Sequence, residues 1–362
     1  MSENQQLHLT VEFAAVPFVV FAIHWRASRV SYTALPKIEA VDQDFKAEGT
    51  LPYDVIRTMR MLTEEDVRQK LDPVRLIAAL ESAFRDRYPS TEIPLRTHIN
   101  LDSGIFLLMP CYDRARDALG MKLVTVQETP AHPEERIQAT YILFDSQTAS
   151  PKLIVPANYL TDLRTAATSA VATKFLARET AATLGIFGTG RQARAHLRVL
   201  PLVRNFQRVL VCGRTRAGTE SFVKELSGDI AIAPANAATV AAESDVICTC
   251  TTSSVPLFDG NLIRSGTHLN LVGSFQPHTR EVDTITVQRS RIFVDTFDAC
   301  LAEAGDLLIP MKEGAITRDH IAADLHELVT NKKLGRSVAD QITLFKSVGC
   351  ALEDLVAAEL LL

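Results

Sequence analysis

The chain has 362 residues, 47% hydrophobic and 22% charged, which is enough for two domains that each bury a core. Its formal net charge of −5 lacks the basic footprint of a nucleic-acid binder and favours small-molecule partners. Six cysteines, none in C-x-x-C spacing, argue against a zinc or redox site and fit a reducing cytoplasm, and no motif calls for a metal.

Val11 to Trp25 is apolar but carries Glu12 and Pro17, is too short to span a bilayer and has no basic region before it, so no targeting or membrane segment is expected. Residues 1–58 show no sustained periodicity and read as an extension outside the core fold, as a mis-assigned start would produce. A clean helix start follows. Thr63-Glu-Glu-Asp66 fits a capping box, and Asp72-Pro73 opens a second helix with Leu76, Ile77, Leu80 and Phe84 on one face.

Four strands are predicted next, at Arg96–Asn100, Gly104–Met109, Met121–Val126 and Gln138–Phe144, with Pro110, Gly120 and Pro130 in the separators. An Ala-rich helix from Thr161 to Arg178 leads into a different pattern. Short runs suited to buried parallel strands begin at Thr183, Val209, Ile230, Asp245, His268 and Ile292, with Ala- and Leu-containing segments between them. Beyond about residue 315 the pattern reads as helical, with Val338, Ile342, Phe345, Leu352 and Leu355 as apolar points and Gly349 as a break between two helices.

The fold class expected is therefore α/β. A Rossmann-type doubly wound sheet covers 166–314, and an α+β substrate and dimerisation domain is formed by 59–165 together with 315–362.

Thr183-Leu-Gly-Ile-Phe runs into Gly188-x-Gly190-x-x-Ala193 and then a helix-forming segment, which is the strand–turn–helix that holds a dinucleotide. Gly188 allows the tight turn, Gly190 lets backbone approach a pyrophosphate, and Ala193 lets the helix pack on the strand. The glycines alone would also suit a plain turn; the strand series behind them favours the cofactor.

Gly120-Met-Lys122-Leu-Val, Leu163-Arg164-Thr-Ala-Ala167, the glycine turn, Val272-Gly-Ser-Phe-Gln-Pro277, Arg280-Glu-Val-Asp283 and Glu303-Ala-Gly-Asp306 occur in one order through both predicted domains. Together they resemble the ornithine cyclodeaminase/μ-crystallin family across residues 61–362. The resemblance implies an NAD(P)-dependent protein acting on an amino acid or its cyclic imine, usually a homodimer built through the non-nucleotide domain. Its members include ornithine cyclodeaminase, alanine dehydrogenase, reductases of Δ1-pyrroline-2-carboxylate and related ketimines, and a hormone-binding lens protein.

By that resemblance Arg96 binds the substrate carboxylate with its planar fork, and Lys122 acts as an acid or holds the same carboxylate. On position alone, Arg96 would be a solvated edge-strand arginine and Lys122 a snorkelling strand lysine. Arg164 is implied to meet the cofactor diphosphate, with Thr189, Gly190, Arg191 and Gln192 forming the phosphate turn. Ser347 and Val348 match a segment that returns to cofactor and substrate. Glu303 is a weaker substrate candidate, since it and Asp306 would serve equally as helix or turn caps.

Where an NAD enzyme places a carboxylate for the ribose 2′-hydroxyl, this chain has Gly213-Arg214-Thr215-Arg216. Arg214 can pair with a 2′-phosphate and Thr215 can donate to it, so NADPH is expected, with NADH still possible. Thr251, Thr252, Val272 and Ser274 stand at the carboxyl ends of predicted strands, where ligands bind in open α/β sheets.

Two departures bear on the reaction. Ornithine cyclodeaminase has a catalytic Asp where this chain has Phe275, and a Glu where it has Leu107. Without those carboxylates the site suits a small uncharged ring, with Phe275 packed against it. The expected reaction is NADPH-dependent reduction of a cyclic ketimine carboxylate, most directly Δ1-pyrroline-2-carboxylate to proline. Ornithine cyclodeamination, alanine dehydrogenation and cofactor-dependent binding without turnover remain as alternatives.

Overall fold

The computed structural model describes residues 59–132, 136–226 and 230–362. The expected extension at 1–58 lies outside the described residues. The chain opens with β1 (Arg60–Met61), α1 (Glu64–Lys70) and α2 (Pro73–Ser82). The capping box is present: Thr63 Oγ1 accepts from Asp66 N–H at 3.2 Å, and Asp66 Oδ2 accepts from Thr63 N–H at 2.8 Å. Asp72 caps α2, with Pro73 in the first turn.

A mainly antiparallel sheet follows: β2 (Thr91–Glu92), β3 (Thr97–Leu101), β4 (Gly104–Asp113), β5 (Ala118–Gln127), β6 (Ile137–Asp145) and β7 (Pro151–Pro156). The order is β1-β7-β6-β5-β4-β2, with β3 also on β4, and β1 runs parallel to β7. β7 escapes sequence reading because prolines bound it at both ends and suggest a loop.

Helix α3 (Asn158–Leu176) joins the two sheets and is buried on nearly every side. That explains its alanines, and two of its buried hydroxyls are satisfied within the helix, as Thr168 and Thr173 donate to Arg164 O at 3.0 Å and Ser169 O at 2.7 Å. The core runs from the first sheet through α3 to one face of the second, and a further apolar cluster covers the other face.

The second sheet is wholly parallel: β8 (Thr183–Phe187), β9 (Arg208–Cys212), β10 (Ala231–Pro234), β11 (Val246–Thr249), β12 (His268–Leu271), β13 (Ser290–Val294), β14 (Ile321–Asp324) and β15 (Ile342–Lys346). The order is β10-β9-β8-β11-β12-β15-β13-β14. From β8 the chain builds β9 and β10 to one side and then crosses back to build β11 on the other, which makes the carboxyl end of β8 the switch point where ligands bind. Helices α4 (Arg191–Val199), α5 (Arg216–Glu225), α6 (Phe297–Glu303), α7 (Gly305–Lys312) and α8 (Ala351–Glu359) complete the elements that bear on the site.

The segment beyond 315 corrects the sequence reading. Ile342–Lys346 is a strand inserted between β12 and β13, and Ile321–Asp324 adds an edge strand beyond them. Val338, Ile342 and Phe345 have helical spacing by coincidence, and Val338 is 61% exposed. A strand buried on both faces shows no alternation, so a short apolar run cannot be told from a helix by period. Within 315–362, then, β14 and β15 belong to the dinucleotide-type sheet, and α8 packs on β4, β5 and β6. Gly349 is the left-handed turn between β15 and α8, with φ +81°, not a break between helices.

Candidate active site

A cleft of about 600 Å3 lies between the face of the first sheet and the carboxyl ends of the second. One wall is built on alternate residues of β4, β5 and β6: Leu107 and Met109, Lys122, Val124 and Val126, Ile137 and Ala139. Their side chains share a face because strand side chains alternate. Lys122 is therefore an ammonium set in an otherwise apolar wall.

The opposite wall begins at the glycine turn. Gly188 has φ +112°, and a Cβ there would stand 2.5 Å from Cys250 O, so β8 can turn into α4 only with glycine. Gly190 has no neighbouring atom within 4 Å of where a Cβ would be. It heads α4 without a side-chain cap, so open space faces the uncapped N-terminus of a helix. These features fit a dinucleotide pyrophosphate, which would be held by the backbone of Thr189 to Gln192. Ala193 is fully buried beneath the turn.

Arg191 Nε lies 3.0 Å from Asp162 Oδ2, and Gln192 Nε2 donates to Asp162 Oδ1 at 3.1 Å. Burial pushes the Asp162 carboxyl up to about 6, against the pull of Arg191.

Arg164 follows Asp162 by two residues on α3, about 200° further round the helix. Its guanidinium faces α8 rather than the phosphate turn: Nε donates to Asp354 Oδ1 at 2.9 Å and Nη1 to Glu353 Oε2 at 2.6 Å. Lys122 Nζ donates to the same Asp354 Oδ1 at 2.8 Å. Burial, then Arg164, depress the Lys122 ammonium, Asp354 supports it, and the balance holds it at about 8. Arg164 thus joins Lys122 through Asp354, and it also lines the cleft.

Arg96 immediately precedes β3 rather than lying in it. Its Nη2 donates to Val348 O at 2.7 Å and Gly349 O at 2.9 Å, and its Nε lies 2.9 Å from Glu303 Oε2. Among the described residues, its Nη1 has no hydrogen-bond partner. Gly349 is packed against Arg164, since a Cβ on it would stand 2.6 Å from Nη1 of that arginine. Arg96, Lys122 and Arg164 therefore gather at one end of the cleft.

Buried carboxylates hold the loops of the second wall. Asp295 Oδ2 accepts from Ser347 Oγ and from Val348 and Gly349 N–H at 2.9, 2.8 and 2.7 Å. Glu281 accepts from Thr249 Oγ1, Thr251 N–H and Oγ1, and Gly273 N–H at 2.7 to 2.8 Å. Thr251, Thr252 and Val272 line the cleft from the ends of their strands, and Phe275, Ser347 and Val348 line it beside them. Ser274 does not, because its hydroxyl is turned to Thr279 O at 2.7 Å.

Arg214 and Thr215 stand at the end of β9, outside that lining. Arg214 is exposed, and Thr215 caps α5 by accepting from Gly218 N–H at 3.2 Å. Among the described residues, no three His, Cys, Asp or Glu side chains gather as a metal site.

The sequence reading gave no role to Asp162, Glu281, Asp295, Glu353 or Asp354. One signal was available for the last two: Glu353-Asp354 is an acidic pair inside the apolar run from Ala351 to Ala358, and a charged pair in such a run is either exposed or paired.

The sequence pattern of the ornithine cyclodeaminase/mu-crystallin family matches residues 57–362. The chain belongs to that family. It is 34% identical over 311 residues to a Δ1-pyrroline-2-carboxylate reductase of Bacillus cereus, a match that spans 84% of this chain and 95% of the relative. It is 36% identical over 276 residues to the ketimine reductase mu-crystallin of Rattus norvegicus, spanning 75% of this chain and 82% of that one.

Among solved structures, Thermococcus litoralis Δ1-pyrroline-2-carboxylate reductase in complex with NADH and L-proline superposes with a TM-score of 0.80 at 36% identity, over 84% of this chain and 96% of its own. An archaeal alanine dehydrogenase dimer with bound NAD gives 0.78 at 27% identity, over 84% and 94%.

Proposed function

We propose that this protein is an NADPH-dependent reductase of a cyclic ketimine carboxylate, most directly Δ1-pyrroline-2-carboxylate to L-proline. The observation that carries this reading is the convergence of Arg96, Lys122 and Arg164 at one end of an apolar-walled cleft whose other wall carries the phosphate turn. A small ring bearing one carboxylate needs that combination: cations for the carboxylate and apolar surface for the ring.

When bound, NADPH supplies the hydride. The residues of the chain do the rest. Arg96, through Nη1, holds the substrate carboxylate, and Lys122 gives a proton to the imine nitrogen as its carbon is reduced. Leu107, Met109, Val124 and Phe275 exclude water and fix the ring, and fixed geometry supplies much of the rate. Gly188, Thr189, Gly190, Arg191 and Gln192 hold the diphosphate, and Arg214 pairs with the 2′-phosphate. The Thermococcus litoralis relative binds NADH; Arg214 is the feature of this chain that favours the phosphorylated cofactor.

Leu107 and Phe275 both line the cleft, which supports reduction over ornithine cyclodeamination. Glu303, beside Arg96, is the one observation that favours cyclodeamination, as a carboxylate able to stand in for the missing pair. Its engagement with Arg96, and with His98 at 3.5 Å, weighs against that role.

The exposed strand β3, with Ile99 43% and Leu101 46% exposed, supports a homodimer through the first sheet. Free cysteines among the described residues support a cytoplasmic setting.

The test is NADPH absorbance with purified protein and Δ1-pyrroline-2-carboxylate, with NADH and with ornithine plus NAD+ in parallel. Oxidation of NADPH with formation of proline is the expected result. Ammonia from ornithine without net cofactor change would replace it with the cyclodeaminase.

A further inference from the structure

Asp354 lies in α8 beside Glu353, in a stretch whose other side chains from Ala351 to Ala358 are apolar and buried. Both of its oxygens stand 2.8 Å from Lys122 Nζ, and Oδ1 also accepts from Arg164 Nε at 2.9 Å. Lys122 is fixed to the sheet, with Met109 and Tyr141 opposite it on β4 and β6. On the reading that Lys122 delivers the proton, the geometry points to Asp354 as the positioning residue of that step, holding the ammonium at the cleft wall and keeping it charged.

The physical reason is the balance of groups around Lys122. A buried lysine favours its neutral amine, and Arg164 from α3 and Arg96 before β3 push the same way. Asp354 is the group that opposes them. Glu353 reaches the cluster only through Arg164, at 2.6 Å from its Nη1. Burial keeps the Tyr141 phenol and the Cys111 thiol neutral, so neither takes over the role. An ammonium has three N–H donors, and a carboxylate that straddles it leaves donor capacity for a ligand in the cleft.

Arg96, Lys122 and Arg164 are each paired with a carboxylate, of Glu303, Asp354 and Glu353 respectively, before a substrate enters. An arriving carboxylate adds negative charge and strengthens the ammonium. Accordingly, the alkaline fall of kcat lies at higher pH than that of kcat/KM.

The alternative is that the pair merely pins α8 to β5. Competitive labelling of Lys122 with acetic anhydride across pH, read by mass spectrometry of its peptide in the full-length protein, separates the two. In Asp354→Asn the labelling midpoint moves down by about one pH unit or more, and the alkaline limb of kcat/KM moves with it. An unmoved midpoint in folded Asp354→Asn overturns the proposal.

Should that variant not fold, Asp354→Glu keeps the charge but displaces it by a methylene. Its midpoint is then retained while kcat falls about tenfold at unchanged KM, and full kcat would overturn the proposal. A shifted midpoint in a protein that turns over no imine leaves the hold of Asp354 on Lys122 standing and rejects the reductase reading. Imine turnover with an unmoved midpoint does the reverse.

Discussion

The ammonium of Lys346 lies 2.9 Å from Asp306 Oδ2, and neither side chain is exposed. Lys346 also donates to Ser274 O at 2.5 Å, while Asp306 Oδ1 accepts from Glu281 N–H at 2.7 Å. One buried pair thus ties the end of β15 to the loop after β12 and to the segment that carries Glu281. Lys346→Met leaves Asp306 buried without its cation, at a cost of about 3–5 kcal/mol. Thermal melting is expected to fall by on the order of 10 °C, and Lys346→Met combined with Asp306→Leu is expected to recover much of it. An unchanged melting temperature in the single variant would reject this account.

Gly188 and Gly190 respond differently to alanine. At Gly188 the added Cβ meets Cys250 O at 2.5 Å in a backbone of φ +112°, so both melting temperature and cofactor binding are expected to drop. At Gly190 the space is open in the free protein, so Gly190→Ala keeps its melting temperature and loses cofactor affinity, by tenfold or more. Calorimetry alongside fluorescence titration with NADPH reads both. Unaltered binding in Gly190→Ala would place the diphosphate elsewhere.

Arg214→Ala is expected to raise the KM for NADPH about 10- to 100-fold, the loss of one charge-assisted contact, with the KM for NADH little changed. Equal effects on the two cofactors would mean that Arg214 does not meet a 2′-phosphate.

Arg96→Lys keeps the charge but loses the fork that binds Val348 O and Gly349 O while leaving Nη1 to the ligand. The KM for the imino acid is expected to rise about 100-fold with a smaller fall in kcat. Steady-state kinetics at saturating NADPH measure it, and an unaltered KM would remove Arg96 from the carboxylate site.

His268 is fully buried, with Nδ1 3.0 Å from Thr343 Oγ1, and burial followed by Arg336 depresses it to about 3. Its folded pKa lies below the ordinary histidine value of about 6.5, so the unfolded chain binds the extra proton. The stability it contributes is present above pH about 6.5 and is lost as pH falls towards the folded value. As pH falls from about 6.5 to 4.5, urea unfolding of the wild type is expected to lose stability faster than His268→Gln, the difference in slope rising to about 1.4 kcal/mol per pH unit. Parallel slopes would show that His268 carries its charge in the folded state.

The phosphate turn was legible because its residues are local. Gly188, Gly190 and Ala193 act through backbone freedom and small size, and both properties are written into residue type. The capping box at Thr63, the alanine-rich α3 and the strands from β8 to β13 were readable for the same reason. Cap, period and turn are short-range properties.

Tertiary structure decided what depends on distant segments meeting. Insertion of β15 between β12 and β13 could not be read, because a strand buried on both faces carries no period and its lysine is neutralised by Asp306 from another element. Arg164 meets Asp354, a residue 190 positions away, which no local pattern announces. Sequence fixes which groups can carry charge. Which charges share a buried space, and so which of them hold or release a proton, follows from packing.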